Sequence, residues 1–380
     1  MVNVKAGSHV HQLLQLLSAA GEVPASLLHL LGSERVVKIL VHKLETVQDV
    51  RFSVEGQVYH TKVLQASGQR KMRTVRIFGG ALPLLDELNP EARAYYMNAF
   101  HQHKFSGSFY HIERNHRVGE AIAMAMMAGL EFRPYVLPKL QHTEWLQIVP
   151  TKPSFYIARD FKGNDFDAMD KTTFTRIVGV VFYPGGCYAV YNTRGAVMKW
   201  SGTGEFKAHY LITALARWNA GLKEVNSSLL LGNDPTVALQ TIFESDKTKR
   251  KSSRVDKLYE RVHFVPLNSD GIQLLKILTL PDWNEKVLDA LFESEQRSWN
   301  RGFMEYDACN NGVYVFSHLD SDLARLIRFR EGLRLETETE NQFEVLGYPW
   351  QAEFLKEYLD GIPRLRLKMI WMEALLDALR

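Results

Sequence analysis

The hydrophobic positions at the start of the chain repeat every three or four residues, as in helices that bury one side. This spacing predicts a first helix at residues 10–19 and a second, shorter one from Pro24 to Leu31. A third helix begins after Ser33, a residue type that favours the N-cap position. Its apolar positions form one predicted buried stripe: Val36, Val37, Leu40, Val41 and Leu44. Three short helices in succession favour a helix-turn-helix domain.

The side of the third helix opposite this stripe is basic. Its basic residues are Arg35, Lys38, His42 and Lys43. In a helix-turn-helix domain the last helix enters the major groove of DNA, and its exposed side chains reach the base edges. A solvated helix face carries similar charges, so the cations alone leave both interpretations open.

Residues 58–64 and 72–78 alternate like the two strands of a hairpin, joined by the polar segment 65–71. No acid occurs between Glu55 and Asp86, whereas the hairpin region holds several cations. They are Lys62, Arg70, Lys71, Arg73 and Arg76. A basic hairpin after a capped basic helix is typical of a winged helix, in which the hairpin lies along DNA phosphates. We therefore predict a winged-helix domain that binds double-stranded DNA.

The chain changes character after this domain. A polar connection at residues 101–109 indicates a boundary between a DNA-binding region, 1–104, and an α/β region, 105–282. The α/β region contains a strand pair within residues 174–193, followed by alternating strands and helices. This alternation predicts a sheet that is covered by helices.

Two further segments are candidate contacts with partners. Residues 90–100 form a predicted helix beside the DNA-binding region, and it is a candidate homodimer contact because winged helices usually read palindromes as dimers. Residues 283–380 are predicted to be a mostly helical third region. It ends in an amphipathic helix at 365–379, which either packs on the α/β region or binds a partner.

Composition narrows the class of protein. The net charge of +3 is small, but residues 1–104 hold 12 Lys and Arg against 8 Asp and Glu, so the positive excess lies in the predicted DNA-binding region. Two cysteines suit a reducing compartment, and the N-terminus lacks a signal-peptide pattern. His101 and His103 have no acid or cysteine at matching ligand spacing. We therefore expect a cytoplasmic protein with no membrane span, no metal and no cofactor.

Catalytic motifs are scarce in this sequence. The common phosphate-binding, dinucleotide-binding, serine-hydrolase and zinc-protease signatures are absent. A restriction-type nuclease needs an Asp on one strand and Glu-x-Lys on the next, but the strand pair within 174–193 holds no acid. Glu205 and Lys207 do spell Glu-x-Lys downstream of three aspartates, Asp165, Asp167 and Asp170. A magnesium-dependent nickase or nuclease is therefore one alternative function. A tyrosine nucleophile at Tyr95 or Tyr96 and a protein-binding adaptor are the others.

Four segments carry a resemblance to a known family. They are SERVVKILVHKLE and KMRTVRIFGG within residues 8–100 and, more loosely, ERNHRVGEAIAMAMMAG and TRIVGVVFYPGGCYAVYNT. Their layout resembles the replication-relaxation-like winged-helix proteins of plasmids and integrative conjugative elements. The resemblance implies a role accessory to replication, transfer, recombination or transcription control, with a relaxase, recombinase or replication protein as partner. It also implies an α/β fold of mixed α+β type, in which a degenerate nuclease-like sheet and a helical C-terminus follow the winged helix.

Overall fold

The structure is a computed structural model that describes most of the chain in two compact units. The described residues are 1–52, 56–69, 72–139, 152–162, 176–198, 203–222, 225–247, 258–298, 305–335 and 340–379. The first unit comprises Met1–His142 with Ser154–Gly163, and the second comprises Thr143–Pro153 with Asn164–Arg380. Together the described residues form a mixed α+β fold with several small sheets, as the sequence predicts.

The first unit combines helices with short strands. Its α-helices are α1 (His9–Ala20), α2 (Glu34–Leu44), α3 (Leu84–Leu88), α4 (Ala92–Ala99), α5 (Phe109–Ala128) and α6 (Ala158–Lys162). Its strands are β1 (Val2–Asn3), β2 (Glu22–Pro24), β3 (Gln48–Arg51), β4 (Tyr59–Thr61), β5 (Leu64–Ser67), β6 (Thr74–Ile77) and β7 (Ser154–Ile157). Short 3-10 helices cover Ala25–Leu31 and Gly79–Ala81.

The strands β1 to β6 of the first unit form two small sheets. Strands β2, β6 and β5 form one antiparallel sheet in that order, and β1, β3 and β4 form another. The predicted hairpin exists, but the bounds of its first strand are wrong, because β4 pairs with β3 and only β5 pairs with β6. The chain changes sheet between β4 and β5, where Val63 is buried and its N–H donates to the Leu44 carbonyl.

The first predicted helix matches α1 closely, and the second differs in type. Pro24 ends strand β2 rather than beginning a helix, and a 3-10 helix follows it. The glycine after α1 is required by its surroundings as well as by its backbone. Gly21 has a φ of 77°, and a Cβ there would lie 2.3 Å from a carbon of the Phe100 ring. Any side chain at this position would therefore displace Phe100 from the core.

Helix α5 belongs to the first unit, although the sequence suggested a boundary before it. The Asn115 side-chain amide donates to Glu22 over 2.8 Å, and His116 Nε2 lies 2.8 Å from the Thr74 hydroxyl. Gly119 allows the helix to approach β2 closely, because a Cβ there would lie 2.8 Å from a methyl group of Val23. The first unit thus extends well beyond residue 104.

The second unit contains two parallel-rich sheets with helices between the strands. Its strands are β8 (Ile177–Tyr183), β9 (Gly186–Arg194), β10 (Ser227–Gly232), β11 (Arg261–Pro266), β12 (Ala308–Asn310), β13 (Val313–Ser317), β14 (Gln342–Gly347) and β15 (Leu365–Met369). Its α-helices are α7 (Thr203–Ala220), α8 (Pro235–Lys247), α9 (Ser269–Leu278), α10 (Trp283–Leu291), α11 (Leu323–Leu335), α12 (Ala352–Tyr358) and α13 (Met372–Ala378). A 3-10 helix covers Pro349–Gln351.

In the described part of region 283–380, helices α10 to α13 occur together with the sheet of β12 to β15, so the helical prediction is wrong at one segment. Strands β8 to β11 lie in the order β11-β10-β9-β8, and β12 to β15 lie side by side in chain order. The predicted helix at 365–379 is instead strand β15 followed by the short helix α13. Apolar and basic residues alternate along β15, and this period of two suits its parallel pairing with β14.

Candidate nucleic-acid interface

Helix α2 is amphipathic, with one side in the core of the first unit and the other in solvent. Ser33 occupies its N-cap position and Glu34 its first turn, where an acid interacts favourably with the helix dipole. Val37, Val41 and Leu44 are buried and hold the helix to the unit. These positions lie three or four residues apart, so they follow one side of the helix.

The four basic residues predicted on α2 all lie on its exposed side. They are Arg35, Lys38, His42 and Lys43. Lys38 Nζ is 2.6 Å from a carboxylate oxygen of Glu34, and the hydrogen bond from Lys38 lowers the pKa of that glutamate. This pair is exposed to solvent on both sides, so it contributes little to stability and can open when an anion approaches.

Two apolar side chains share the exposed side of α2 with these cations. Ile39 is 61% exposed and Val36 is 50% exposed. The predicted buried stripe is therefore wrong at Val36. Neighbouring residues of a helix differ in direction by about 100°, so Val36 lies at the edge of the buried side when Val37 lies at its centre. The structure buries Val37.

The hairpin of β5 and β6 is attached to the end of α2 by one side chain. Glu45 follows the last residue of α2, and its carboxylate accepts a hydrogen bond of 3.0 Å from the backbone N–H of Ala66. Arg73 Nη2 lies 3.7 Å from the other carboxylate oxygen. Arg73 is exposed and stands near the C-terminal end of the helix with the basic side. The Glu45 carboxylate partly neutralises the charge of Arg73.

The remaining hairpin cations differ in their surroundings. Lys62 is half-buried, with its ammonium 4.1 Å from the centre of the Phe78 ring. Arg76 is half-buried as well, lies opposite Glu22 in the pairing of β2 with β6, and has its guanidinium 5.5 Å from the centre of the Phe105 ring. We therefore leave Arg76 out of the candidate interface. Arg70 and Lys71 lie outside the described residues.

The two described residues of the candidate nuclease site, Glu205 and Lys207, lie on a helix and not on a strand. Glu205 is buried in the first turn of α7, where it accepts a hydrogen bond of 3.4 Å from the backbone N–H of Arg176. Lys207 lies in the same helix, and Asp165, Asp167 and Asp170 fall outside the described residues. Strands β8 and β9 hold no acid, as the sequence indicated.

Of the two candidate tyrosine nucleophiles in the first unit, Tyr96 is buried and Tyr95 is half-buried. The Tyr95 hydroxyl donates to Asp160 over 3.0 Å and accepts from Arg159 over 3.1 Å, while the Tyr96 hydroxyl lies 2.8 Å from His103 Nδ1. Burial raises the pKa of both tyrosines well above the ordinary value. Both hydroxyls therefore stay protonated near neutral pH, which makes them poor nucleophiles.

The second unit contains a buried charge cluster that the sequence did not predict. Arg325 lies 3.1 Å from Glu305, 2.8 Å from Asp307 and 3.4 Å from Asp320. Burial raises the pKa of Asp307. Burial also acts to raise the pKa of Asp320, but the Arg325 guanidinium outweighs it and holds that pKa below its ordinary value. A cavity of about 190 Å³ adjoins Arg325 and Asp307. One local pattern in the run SHLDSDLARL could have predicted the start of α11. Asp322 accepts backbone N–H groups there, as an N-cap aspartate does.

Within the described ranges, no three His, Cys, Asp or Glu side chains are grouped in a way that could hold a metal ion. None of the described helices combines the length and the apolar character that crossing a membrane requires. Comparison of the chain with protein-family models, with curated proteins and with solved structures gives no match.

Proposed function

We propose that the first unit contains a winged-helix domain that binds double-stranded DNA, with α2 as its recognition helix. The order of its elements supports this proposal. Helix α1, strand β2, the 3-10 helix, α2 and the β5-β6 hairpin occur in this order, with β3 and β4 between α2 and β5, and β2 pairs with β6. A sheet of this order holds the hairpin beside the helix pair, so that α2 and the hairpin can contact one stretch of duplex.

The exposed side of α2 is the observation that carries the proposal. Its three Lys and Arg cations and His42 face solvent, and Glu34 is the one acid among the 11 residues of the helix. An α-helix with its side chains is about 10–12 Å across, which suits insertion into a major groove about 12 Å wide. Arg35, Lys43 and Arg73 would contact phosphates, and such contacts give affinity that falls steeply with salt.

Reversing two charges on α2 tests the proposed interface. We expect the double variant Arg35→Glu with Lys43→Glu to bind a mixed-sequence duplex about 10- to 100-fold more weakly than the unchanged chain, because two phosphate contacts become repulsive. The measurement is fluorescence anisotropy over a range of salt concentrations. The slope of log affinity against log salt should become shallower by about two.

A matched variant in the second unit controls for the change in net charge. Lys356→Glu with Arg366→Glu alters the charge equally at two exposed positions, and we expect its affinity and salt slope to stay near those of the unchanged chain. Equal losses of affinity in both double variants would contradict a specific role of α2. Circular dichroism of each variant verifies that the fold is retained.

Replacement of Glu45 should strengthen DNA binding, which is the opposite of the effect expected for the α2 variants. We expect Glu45→Gln to increase affinity for duplex DNA about two- to fivefold, since it removes a negative charge near the phosphates and releases Arg73. The glutamine can still accept the N–H of Ala66, so the hairpin stays attached. Glu353→Gln, an exposed change in the second unit, should leave the affinity unaltered. Weaker binding by Glu45→Gln would show that its charge, rather than its hydrogen bond, positions the hairpin.

We infer that the second unit is a degenerate nuclease-like domain without cleavage activity. Strands β8 and β9 are antiparallel and β10 is parallel to β9, an order that a restriction-type core can use. The middle of β9 carries Tyr191 and Asn192 where such a core needs acids to bind Mg²⁺. We expect a supercoiled plasmid to stay supercoiled with this protein and either Mg²⁺ or Mn²⁺. Nicked product on an agarose gel would contradict this inference and support the nickase alternative.

The resemblance of the sequence to mobile-element proteins extends the proposal to a role. In that role the protein would mark a site for a relaxase, a recombinase or a replication protein, or control transcription there. A homodimer would bind an inverted repeat, because each copy would read one half-site.

A further inference from the structure

Ile39 lies at the centre of the exposed side of α2. Arg35 precedes it by four residues and Lys43 follows it by four, so both are its neighbours on the helix surface. Val36 and His42, each three residues away, complete the surroundings. A single exposed apolar residue is ordinary, but here the most central position of a basic surface is a branched hydrocarbon that is 61% exposed.

The charges around Ile39 indicate what kind of molecule would cover it. Lysine is depleted at protein interfaces, whereas Lys38 and Lys43 share the exposed side of the helix with Ile39. A duplex offers the complementary pattern, with phosphates at the rims of the major groove and base edges between them. Among those edges, the C5-methyl group of thymine is the apolar one.

We propose that Ile39, assisted by Val36, contacts thymine methyl groups in the major groove and so favours DNA sites with thymine opposite the centre of α2. This proposal rests on the proposed function of α2 as a recognition helix. It deepens that function by naming the chemical group that is read. A branched aliphatic side chain cannot hydrogen-bond a base, so burial of the methyl group supplies the discrimination.

Removal of the methyl group from the DNA tests the proposal directly. The probes are a duplex of alternating adenine and thymine and the same duplex with uracil in place of thymine, two helical turns long, with the full chain as the protein. We expect the thymine duplex to bind at least about fourfold more tightly for each methyl group that is buried. A second pair, alternating guanine with cytosine or 5-methylcytosine, adds a methyl group at the same position and should show the same preference.

Variants of the helix assign the preference to a residue. We expect Ile39→Ala to reduce the thymine-to-uracil ratio toward one, and Val36→Ala to reduce it partly. Val47→Ala, which changes an equally exposed residue beyond α2, should keep the ratio of the unchanged chain. Alanine favours helices, so these exposed substitutions should leave the fold intact, which circular dichroism verifies.

Different outcomes separate this proposal from the one on which it rests. Equal affinity for the thymine and uracil duplexes would overturn the methyl contact and leave DNA binding in place. A methyl preference that persists in Ile39→Ala would overturn the assignment to Ile39. Failure to bind any of the four duplexes at low salt would overturn the proposed function itself.

Discussion

Replacement of Arg325 by methionine is expected to lower the free energy of unfolding of the second unit by about 3–5 kcal/mol, because it leaves buried carboxylates without a counter-charge. Arg325 contacts Glu305, Asp307 and Asp320, and Asp307 and Asp320 are buried. The guanidinium carbon also lies 4.9 Å from the centre of the Phe316 ring. Methionine keeps much of this packing, so the loss reports mainly on charge.

Chemical denaturation of the full chain measures this loss. Arg366→Met, at an exposed position of β15, is the matched control and should change the stability by less than about 0.5 kcal/mol. Arg325→Lys keeps the charge but loses the planar fork, so we expect an intermediate loss. A change in Arg325→Met no larger than that of the control would contradict the account of the cluster.

The pH dependence of the Arg325→Met deficit distinguishes charge from packing. Without the guanidinium, burial raises the pKa of Asp307 still further above its unfolded value. A carboxyl with a raised folded-state pKa binds more protons when folded, so stability increases as pH falls. We therefore expect the deficit to be smaller at pH 5 than at pH 7. A lost packing contact would give the same deficit at both values.

Local spacing was sufficient to predict the main elements of the candidate interface. Helix α1, helix α2 and strand β6 come close to their predicted bounds, because each has a clear helical or alternating pattern within a few residues. The cations of α2 were predicted on the exposed side for the same reason. Where the pattern was ambiguous the prediction failed, as at Val36, which borders the buried stripe of α2.

Contacts between distant segments could not be predicted from these patterns. Helix α5 packs on β2 through Asn115 and Gly119, about 90 residues along the chain from their partners. Likewise Arg325 contacts acids from the segments before β12 and after β13. The sequence shows these four charged residues but does not show that they come together in the folded chain. Strand β15 is a different case, because apolar and basic residues alternate along it and the helical prediction did not use this local pattern.

Acidification should destabilise the second unit through His318. This side chain is fully buried, and neither ring nitrogen has a hydrogen-bond partner among the described atoms. Burial lowers the pKa of His318 from 6.5 to about 4, since the charged ring would lose its water; Asp320 opposes this shift, while Arg325 and His263 add to it. The neutral ring packs near Phe316 and Phe354, with ring centres 6.3 and 5.9 Å away.

The sign of the effect follows from proton binding. Between pH 6.5 and 4 the unfolded chain protonates this histidine and the folded chain does not, so the unfolded state gains stability as pH falls. The contribution of His318 is fully present above pH 6.5 and is lost as pH falls through about 4. Its expected size is about 3 kcal/mol, at about 1.4 kcal/mol for each pKa unit.

Comparison with a variant that cannot titrate at this position isolates His318 from the nearby acids. Burial raises the pKa of Asp307 and Asp322, so those two groups act in the opposite direction. We expect His318→Phe to lose about 3 kcal/mol less stability than the unchanged chain between pH 7 and pH 4, measured by urea denaturation. His318→Leu serves if phenylalanine does not fit, and His42→Gln on the surface should follow the unchanged chain. Parallel stability curves for His318→Phe, His318→Leu and the unchanged chain would mean that the folded protein protonates this ring as readily as the unfolded chain does.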